Sequence, residues 1–416
     1  MASVSLVAVF LSSGTPIPLY NTFRVEDGIT DADLALTTVL YLAATALSLL
    51  IFGRLSNHLG RLPVVIASVV CSVAGCVVLM QVHTLPMLVG GRVLQGLACG
   101  IASSAAGAMV IDLAPRTRVP WLPAVITSSA PAFAIPIGAL TSGALIEFGS
   151  APRTFGLTLV ASVLAACGVL LLACPETVRR APGTLRSLLP RVHIPAGAGR
   201  LIVAAGGTLV ATWSFTGFYQ AFAPGLAADY LGTTDALMIA VVFASIVVLT
   251  PLGGAASSRL TPVRAQRVGL VVFVVGTVVI MTALHAAAMM LFLIASALAG
   301  IAQGAANSGG MRGVLADIAP SERAGTLATL YLISYSGGAL PGLVAGHFSH
   351  TVSLPDVGTG YAALVVVAAT VALIASRQKR TPRSAVTVPA EQSGLDAHEE
   401  DIQSRPRCTS AGARST

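Results

Sequence analysis

Long apolar runs alternate with short polar turns from the first residue to about residue 377, and the run length matches the thickness of a bilayer. A helix needs about 20 apolar residues to cross the hydrocarbon core. Twelve runs reach that length. Six lie at about 2–20, 34–53, 63–82, 86–113, 120–146 and 154–174, and six at about 201–223, 235–256, 266–284, 287–316, 325–347 and 359–376. The pattern predicts an all-α polytopic membrane protein. Its longest basic turn, 178–200, separates an N-terminal six-helix half (1–177) from a C-terminal one (201–377). Residues 378–416 turn to Ser, Thr, Pro, Glu and Arg, a composition too polar to fold, and are expected to form a disordered cytoplasmic tail.

Composition changes this picture only in naming the solvent. Hydrophobic residues make up 55% of the chain and charged ones 10%, against about 25% charged in soluble domains, so lipid must cover much of the surface. The net charge of +7 lies in short clusters between apolar runs, which points to membrane orientation and not to nucleic acid. Basic residues collect after the even-numbered spans, among them Arg54, Arg61, Arg116, Arg118, Arg179, Arg180, Arg186, Arg191, Arg259, Arg264, Arg323 and Arg377. The opposite turns hold Arg24 and Arg153 with many acids, including Glu26, Asp27, Asp31, Asp33, Glu147, Asp229, Asp235 and Asp356. Positive residues stay inside, so both termini are expected in the cytoplasm, with the chain in the plasma membrane. No basic stretch precedes span one, so a cleaved leader is not expected. Five cysteines (Cys71, Cys76, Cys99, Cys167, Cys174) sit in apolar runs without metal-ligand spacing, and Cys408 stands alone in the tail. No metal site, catalytic residue or cofactor is expected, and without a Walker loop a proton gradient is the expected energy source.

The two halves echo one another. Span four ends Gln95-Gly96 … Asp112-Leu113-Ala114-Pro115, and span ten ends Gln303-Gly304 … Asp317-Ile318-Ala319-Pro320. Parallel six-span repeats are one of the designs of secondary transporters. Prolines interrupt span one (Pro16, Pro18), span five (Pro131, Pro136) and span eleven (Pro341), where helices must bend or pack closely.

The turn after span two reads Gly53-Arg54-Leu55-Ser56-Asn57-His58-Leu59-Gly60-Arg61-Leu62. It resembles the signature loop of the major facilitator superfamily, G-x-L-a-D-r-x-G-R-[RK], with Asn57 where that family has Asp. Arg92-Val93-Leu94-Gln95-Gly96 in span four resembles the family's R-x-x-Q-G, and Pro175-Glu176-Thr177 follows span six as in many members. The resemblance implies a transporter with twelve helices around a central cavity, working by alternating access. It implies a cytoplasmic latch of Gly53, Asn57, Gly60, Arg61 and Asp112, in which Arg61 pairs with Asp112. Gly53 would let two helices approach, Gly60 would make a tight turn, and Asn57 would accept a hydrogen bond from a helix end without a charge. In the second half the loop is degenerate, and only Asp317 and Arg323 hint at a counterpart. Arg92, with Gln95 and Gly96 beside it, is expected to serve coupling or substrate binding, or else to be a structural arginine on backbone carbonyls. Arg312 in span ten has the same two readings and could also snorkel.

Polar and aromatic residues on inward helices are the substrate-cavity candidates: Tyr20, Asn21, Tyr41, Trp213, Tyr219, Gln220, Gln303, Asn307, Tyr331 and Tyr335. Ordinary helix packing is the competing reading for each. No Asp or Glu sits mid-span, so a neutral, amphipathic or anionic substrate is slightly favoured. The leading reading is proton-coupled efflux of an amphipathic compound by a single chain in the bilayer. An importer of a sugar or organic acid, and a receptor or scaffold that has lost transport, stand beside it. Span five lacks the regular proline-glycine spacing of the family's drug/proton exchangers.

Overall fold

The computed structural model describes residues 1–113, 122–149, 153–182, 187–188, 194–195, 197–316, 318–319, 322–349 and 351–377. The tail 378–416, Arg116, Arg118, Arg186, Arg191 and Asp317 lie outside the described residues. Every expected span is a helix or a pair of helices. Span one is Ala2–Gly14 and Leu19–Asp27, broken at 15–18 by its two prolines. Spans two to six are Asp31–Phe52, Arg61–Leu79, Leu85–Asp112, Leu122–Phe148 and Phe155–Leu171. Span seven is Gly199–Gly225, carried on by a π-helical turn, Leu226–Tyr230, just after Pro224. Span eight is Ala236–Val247 and Thr250–Ala256, and spans nine to twelve are Pro262–His285, Met289–Ala316, Arg323–Phe348 and Leu354–Ser376.

Eleven of these spans are long and apolar enough to cross a membrane, and the sixth, at 17 residues, is shorter than expected. Its helix tightens at the end: the amides of Leu172, Ala173 and Cys174 donate to carbonyls three residues back. Those tighter turns rise faster per residue, so the segment still covers about 31 Å.

The acids expected only as orientation marks have structural work. Thr30 and Asp33 form a capping box at the start of span two. Asp235 caps span eight through the amide of Met238, and Ser353 caps span twelve through that of Asp356. Each relieves an unpaired helix-end donor. We refer to this side of the bundle as the acidic end and to the opposite side as the arginine end.

Three buried apolar clusters form among the described residues. One is built mainly from spans one to six around Leu6, Phe10, Val65, Cys99 and Leu164, with Ala339 of span eleven; a second mainly from spans seven to twelve around Phe215, Phe218, Phe243, Phe273 and Phe292, with Ile17, Ala35 and Ala139; a small third one holds Ala205, Leu209 and Leu330. Val70, Val77, Leu170, Val275, Leu298 and Val371 face outward as a lipid-facing surface. The halves meet along spans two and eleven and along spans five and eight. A side chain at Gly143 would put its Cβ 2.7 Å from the carbonyl of Ala236, so only glycine permits this approach. Glu147 crosses the same seam and accepts the amide of Ala236 at 3.2 Å. Both contacts lie at the acidic end.

Candidate functional site

The centre of the first half is organised by a helix break. Pro16 has no N–H, so the carbonyl of Ser12 loses the donor it would have four residues on. The amide of Ile17 donates to Gly14, which leaves the carbonyl of Ser13 free as well. Span four supplies both missing donors. Gln95 Nε2 donates to Ser12 at 2.7 Å, and Arg92 Nη1 donates to Ser13 at 2.6 Å and to Gln95 Oε1 at 2.9 Å. Arg92 is 0% exposed. Its guanidinium carbon lies 4.3 Å from the centre of the Tyr41 ring and 6.0 Å from that of Tyr20. The backbone-bonded reading of Arg92 therefore describes one of its terminal nitrogens, while Nε and Nη2 have no partner. Gly96 lets span four lie this close to span two, since a Cβ there would sit 2.5 Å from the carbonyl of Tyr41.

Spans seven and ten are joined by a polar seam. Thr208, Thr212 and Thr216 repeat every four residues on one face of span seven. Gln266 of span nine donates to Thr208 at 2.9 Å, Thr212 donates to Asn307 at 3.0 Å, and Gln303 donates to Thr216 at 3.1 Å. Tyr219 and Ser296 continue the line at 2.5 Å. Gln303 thus does for spans seven and ten what Gln95 does for spans one and four. Tyr219 is fully buried and stacks on Phe292, so it is packed core and not cavity wall. Gln220 is buried too. Trp213 and Tyr335 meet edge to face at 5.0 Å, half-buried, and Tyr331 is exposed one turn away. The threonine ladder and the freed carbonyls escaped the sequence reading, although the four-residue spacing and Pro16 were visible signals for them.

At the arginine end the expected pair forms: Arg61 Nε lies 3.2 Å from Asp112 Oδ2. Ser56 accepts from Arg61 Nη1 at 2.7 Å, and Thr177 donates to Asp112 at 3.1 Å. Gly60 has φ +104, and a Cβ there would lie 2.5 Å from Glu176 Oε2. Glu176 accepts the amides of Arg61 and Leu62 at the start of span three, and those of Thr177 and Val178. Burial alone would raise its carboxyl pKa, but the four backbone donors outweigh this and hold it below the ordinary glutamate value. Two expectations change here. Gly53 ends span two, and a side chain there would meet only Leu49 of its own span, so it mediates no helix approach. Asn57 is exposed and makes no side-chain hydrogen bond among the described residues, so it caps no helix there. Arg312 is not near Arg92; it donates to the carbonyl of Ser257 at 3.0 Å and reaches those of Ser258 and Leu260, closing the end of span eight. All these fastenings stay within one half.

At the acidic end, Arg24 reaches across the halves. It pairs with Asp31 at 3.2 Å in its own half and with Asp229 at 2.7 Å on the π turn of span seven. A cavity of about 560 Å³ lies there, lined by Asn21, Arg24, Asp31, Asp229 and Ser349 among others. Arg153 gathers Glu26, Asp27 and the carbonyl of Val82 nearby. Tyr20, Tyr41 and Arg92 are thus brought together, as are Trp213, Tyr331 and Tyr335, whereas Asn21 belongs to the acidic-end cavity.

Comparison with known proteins gives one family. The sequence model described as "Major Facilitator Superfamily" matches residues 2–343. The multidrug resistance protein MdtM of Salmonella typhimurium is 33% identical over 38% of this chain and 38% of its own length. The uridine/deoxyuridine transporter of Lactococcus lactis is 27% identical over 51% of this chain and 43% of its own length. The chain therefore aligns with less than half the length of these curated relatives. Among solved structures, a bacterial homologue of the human lysosomal transporter Spinster, inward-facing and occupied, superposes with a TM-score of 0.65 at 16% identity over 91% of this chain and 96% of its own. The xylose transporter XylE of E. coli, partially occluded and inward-open, gives 0.64 at 18% identity over 89% of this chain and 94% of its own.

Proposed function

This chain belongs to the major facilitator superfamily, and from that premise we propose that it exports a small amphipathic compound across the plasma membrane, driven by the proton gradient. The observation that carries the reading is an asymmetry between the two ends of the bundle. The cross-half contacts described, Gly143 against Ala236, Glu147 on span eight, and Arg24 on Asp229, lie at the acidic end. The fastenings at the arginine end each join residues of one half. Among the described residues, the ion pair given at that end, Arg61–Asp112, lies within spans one to six. With the arginines on the cytoplasmic side, as the positive-inside rule assigns them, this arrangement loads from the cytoplasm. In this reading the aromatic pair Trp213–Tyr335 lines the route between the halves, and Arg61–Asp112 keeps the first half's cytoplasmic ends in register.

The name of the MdtM relative, a multidrug resistance protein, supports drug efflux, and that of the uridine/deoxyuridine transporter supports a polar nucleoside as the solute instead. One experiment separates them. The chain is expressed in an efflux-deficient host, and accumulation of a compound panel is followed with and without a proton uncoupler. Export requires lower accumulation that the uncoupler reverses. Higher accumulation of nucleosides or sugars establishes import, and an unchanged panel removes the export reading.

A further inference from the structure

The cavity at the acidic end offers more acceptors than the protein supplies with donors. A carboxylate oxygen only accepts, and each can take two hydrogen bonds. Asp229 Oδ2 accepts from Arg24 Nη2 at 2.7 Å, but Asp229 Oδ1 accepts from nothing among the described residues. Arg24 Nε lies 3.2 Å from Asp31 Oδ1 without aiming its N–H at it, and that oxygen is buried with no hydrogen bond. The other half covers it: a Cβ on Gly225 of span seven would lie 3.2 Å from the same oxygen. Asn21 and Thr234 line the cavity from opposite halves, and neither side chain makes a hydrogen bond among the described residues. The lining holds two aspartates and one arginine, so one acid is left over. Arg24 itself shows which cation suits these acids, a planar group that reaches Asp31 with one nitrogen and Asp229 with another. The volume of about 560 Å³ is room for a second, ring-sized cation beside it, with Ile29 and Ala228 as apolar wall.

We propose that this cavity binds an organic cation with an amidinium or guanidinium head and a small apolar body, which enters from the acidic side and holds that end shut. Its head donates to the free oxygen of Asp229 and to the side-chain oxygen of Asn21, and its charge offsets the surplus acid. Asn21, Arg24 and Asp31 come from one half, and Asp229, Thr234 and Ser349 from the other. The site is therefore complete only while the halves meet at this end, and the bound cation favours the state that is open at the arginine end. None of this depends on the direction of transport or on what is carried.

The test uses the full chain purified in detergent, titration calorimetry, and three probes of one shape: the cation benzamidine, neutral benzamide and the anion benzoate. Wild type should bind benzamidine about tenfold more tightly than benzamide, the worth of a charge-assisted hydrogen bond, and benzoate least. Asp229→Asn should abolish that preference. Asn21→Leu, which leaves the ion pairs of Arg24 in place, should weaken benzamidine about three- to tenfold. Arg24→Ala frees both carboxylates, so benzamidine should bind it more tightly than wild type. With benzamidine at about ten times its dissociation constant, maleimide labelling of Ser349→Cys at that position should slow about tenfold. Gly143→Val, which wedges this end apart, should weaken benzamidine about fivefold or more, the fold-change to which the smallest expected wedging energy converts. Equal binding of the three probes, tightest binding of benzoate, or a preference that survives Asp229→Asn overturns the proposal. So do weaker binding by Arg24→Ala than by wild type and unchanged labelling at position 349, which puts the cation elsewhere. Undiminished affinity in Gly143→Val refutes the clamp across the halves. Should Asp229→Asn fail to fold, an unchanged benzamidine affinity in Asn21→Leu overturns the site instead.

Discussion

Most of the need for Gln95 should come from Pro16. Replacing Gln95 with Leu keeps the volume similar but strands the carbonyl of Ser12 in a buried site and takes one acceptor from Arg92. A stranded buried polar group costs about 1–3 kcal/mol in soluble proteins. Hydrogen bonds between membrane helices average about 0.6 kcal/mol and reach about 1.7. The site is fully buried and one partner is charged, so the upper membrane value governs, and the loss should be about 1.5 kcal/mol. Pro16→Ala restores an N–H four residues after Ser12. Thr15 already has helical angles, φ −53 and ψ −40, so that amide can reach the carbonyl. In the Pro16→Ala background Gln95→Leu should therefore cost about 1 kcal/mol less, a coupling well above the additivity error of about 0.5 kcal/mol. The cycle is measured by SDS titration in mixed micelles, with a thiol-reactive dye reporting exposure of buried Cys76, Cys99 and Cys167. Equal costs in the two backgrounds would refute the account of span one's break.

Four further outcomes follow from the geometry. Arg61→Ala should cost less than about 1 kcal/mol of stability, because the pair is partly exposed, yet it should slow transport; unchanged transport reduces the Arg61–Asp112 pair to a topology anchor. Glu176 has a lowered folded-state pKa, so its contribution is present above the ordinary value of 4.5 and is lost as pH falls through the folded value; Glu176→Gln should flatten that acid limb of the stability curve, and an unaltered limb would refute it. Gly143→Val should wedge spans five and eight apart, an overpacking of about 1–3 kcal/mol, and raise cysteine-reagent access from the acidic end; unchanged access refutes the seal. Arg24→Asp should open the same end and Asp229→Arg should restore it in the double variant, as read by that accessibility assay; a double variant no tighter than the single refutes the cross-half pair.

The spans and the Arg61–Asp112 pair could be read from the sequence because each rests on periodicity or on a local motif. What could not be read depends on which face of a helix turns inward. Tyr219 and Gln220 are adjacent on span seven and both vanish into the core, while Trp213 stays at the interface. Arg92 and Arg312 look alike as arginines in glycine-rich helices, yet one meets a helix broken by proline and the other a helix that simply ends. Asn57 shows the reverse: its motif position is clear, but its side chain points to solvent. Span six is short because its last turn tightens before Pro175, a local geometry that hydropathy does not report.

The carboxylate of Glu176 also bears on the order in which the chain can mature. The amides of Arg61 and Leu62 belong to a helix synthesised more than a hundred residues earlier. Until residue 176 leaves the ribosome, the start of span three has no carboxylate to hold it, and Asp112 lacks the hydroxyl of Thr177. The first half is therefore tied off by its own last segment. A nascent chain arrested within span six would present five complete spans whose ends on the arginine side are still loose. The short strap after span six is thus the last piece in chain order to join the starts and ends of spans three, four and six at the arginine end.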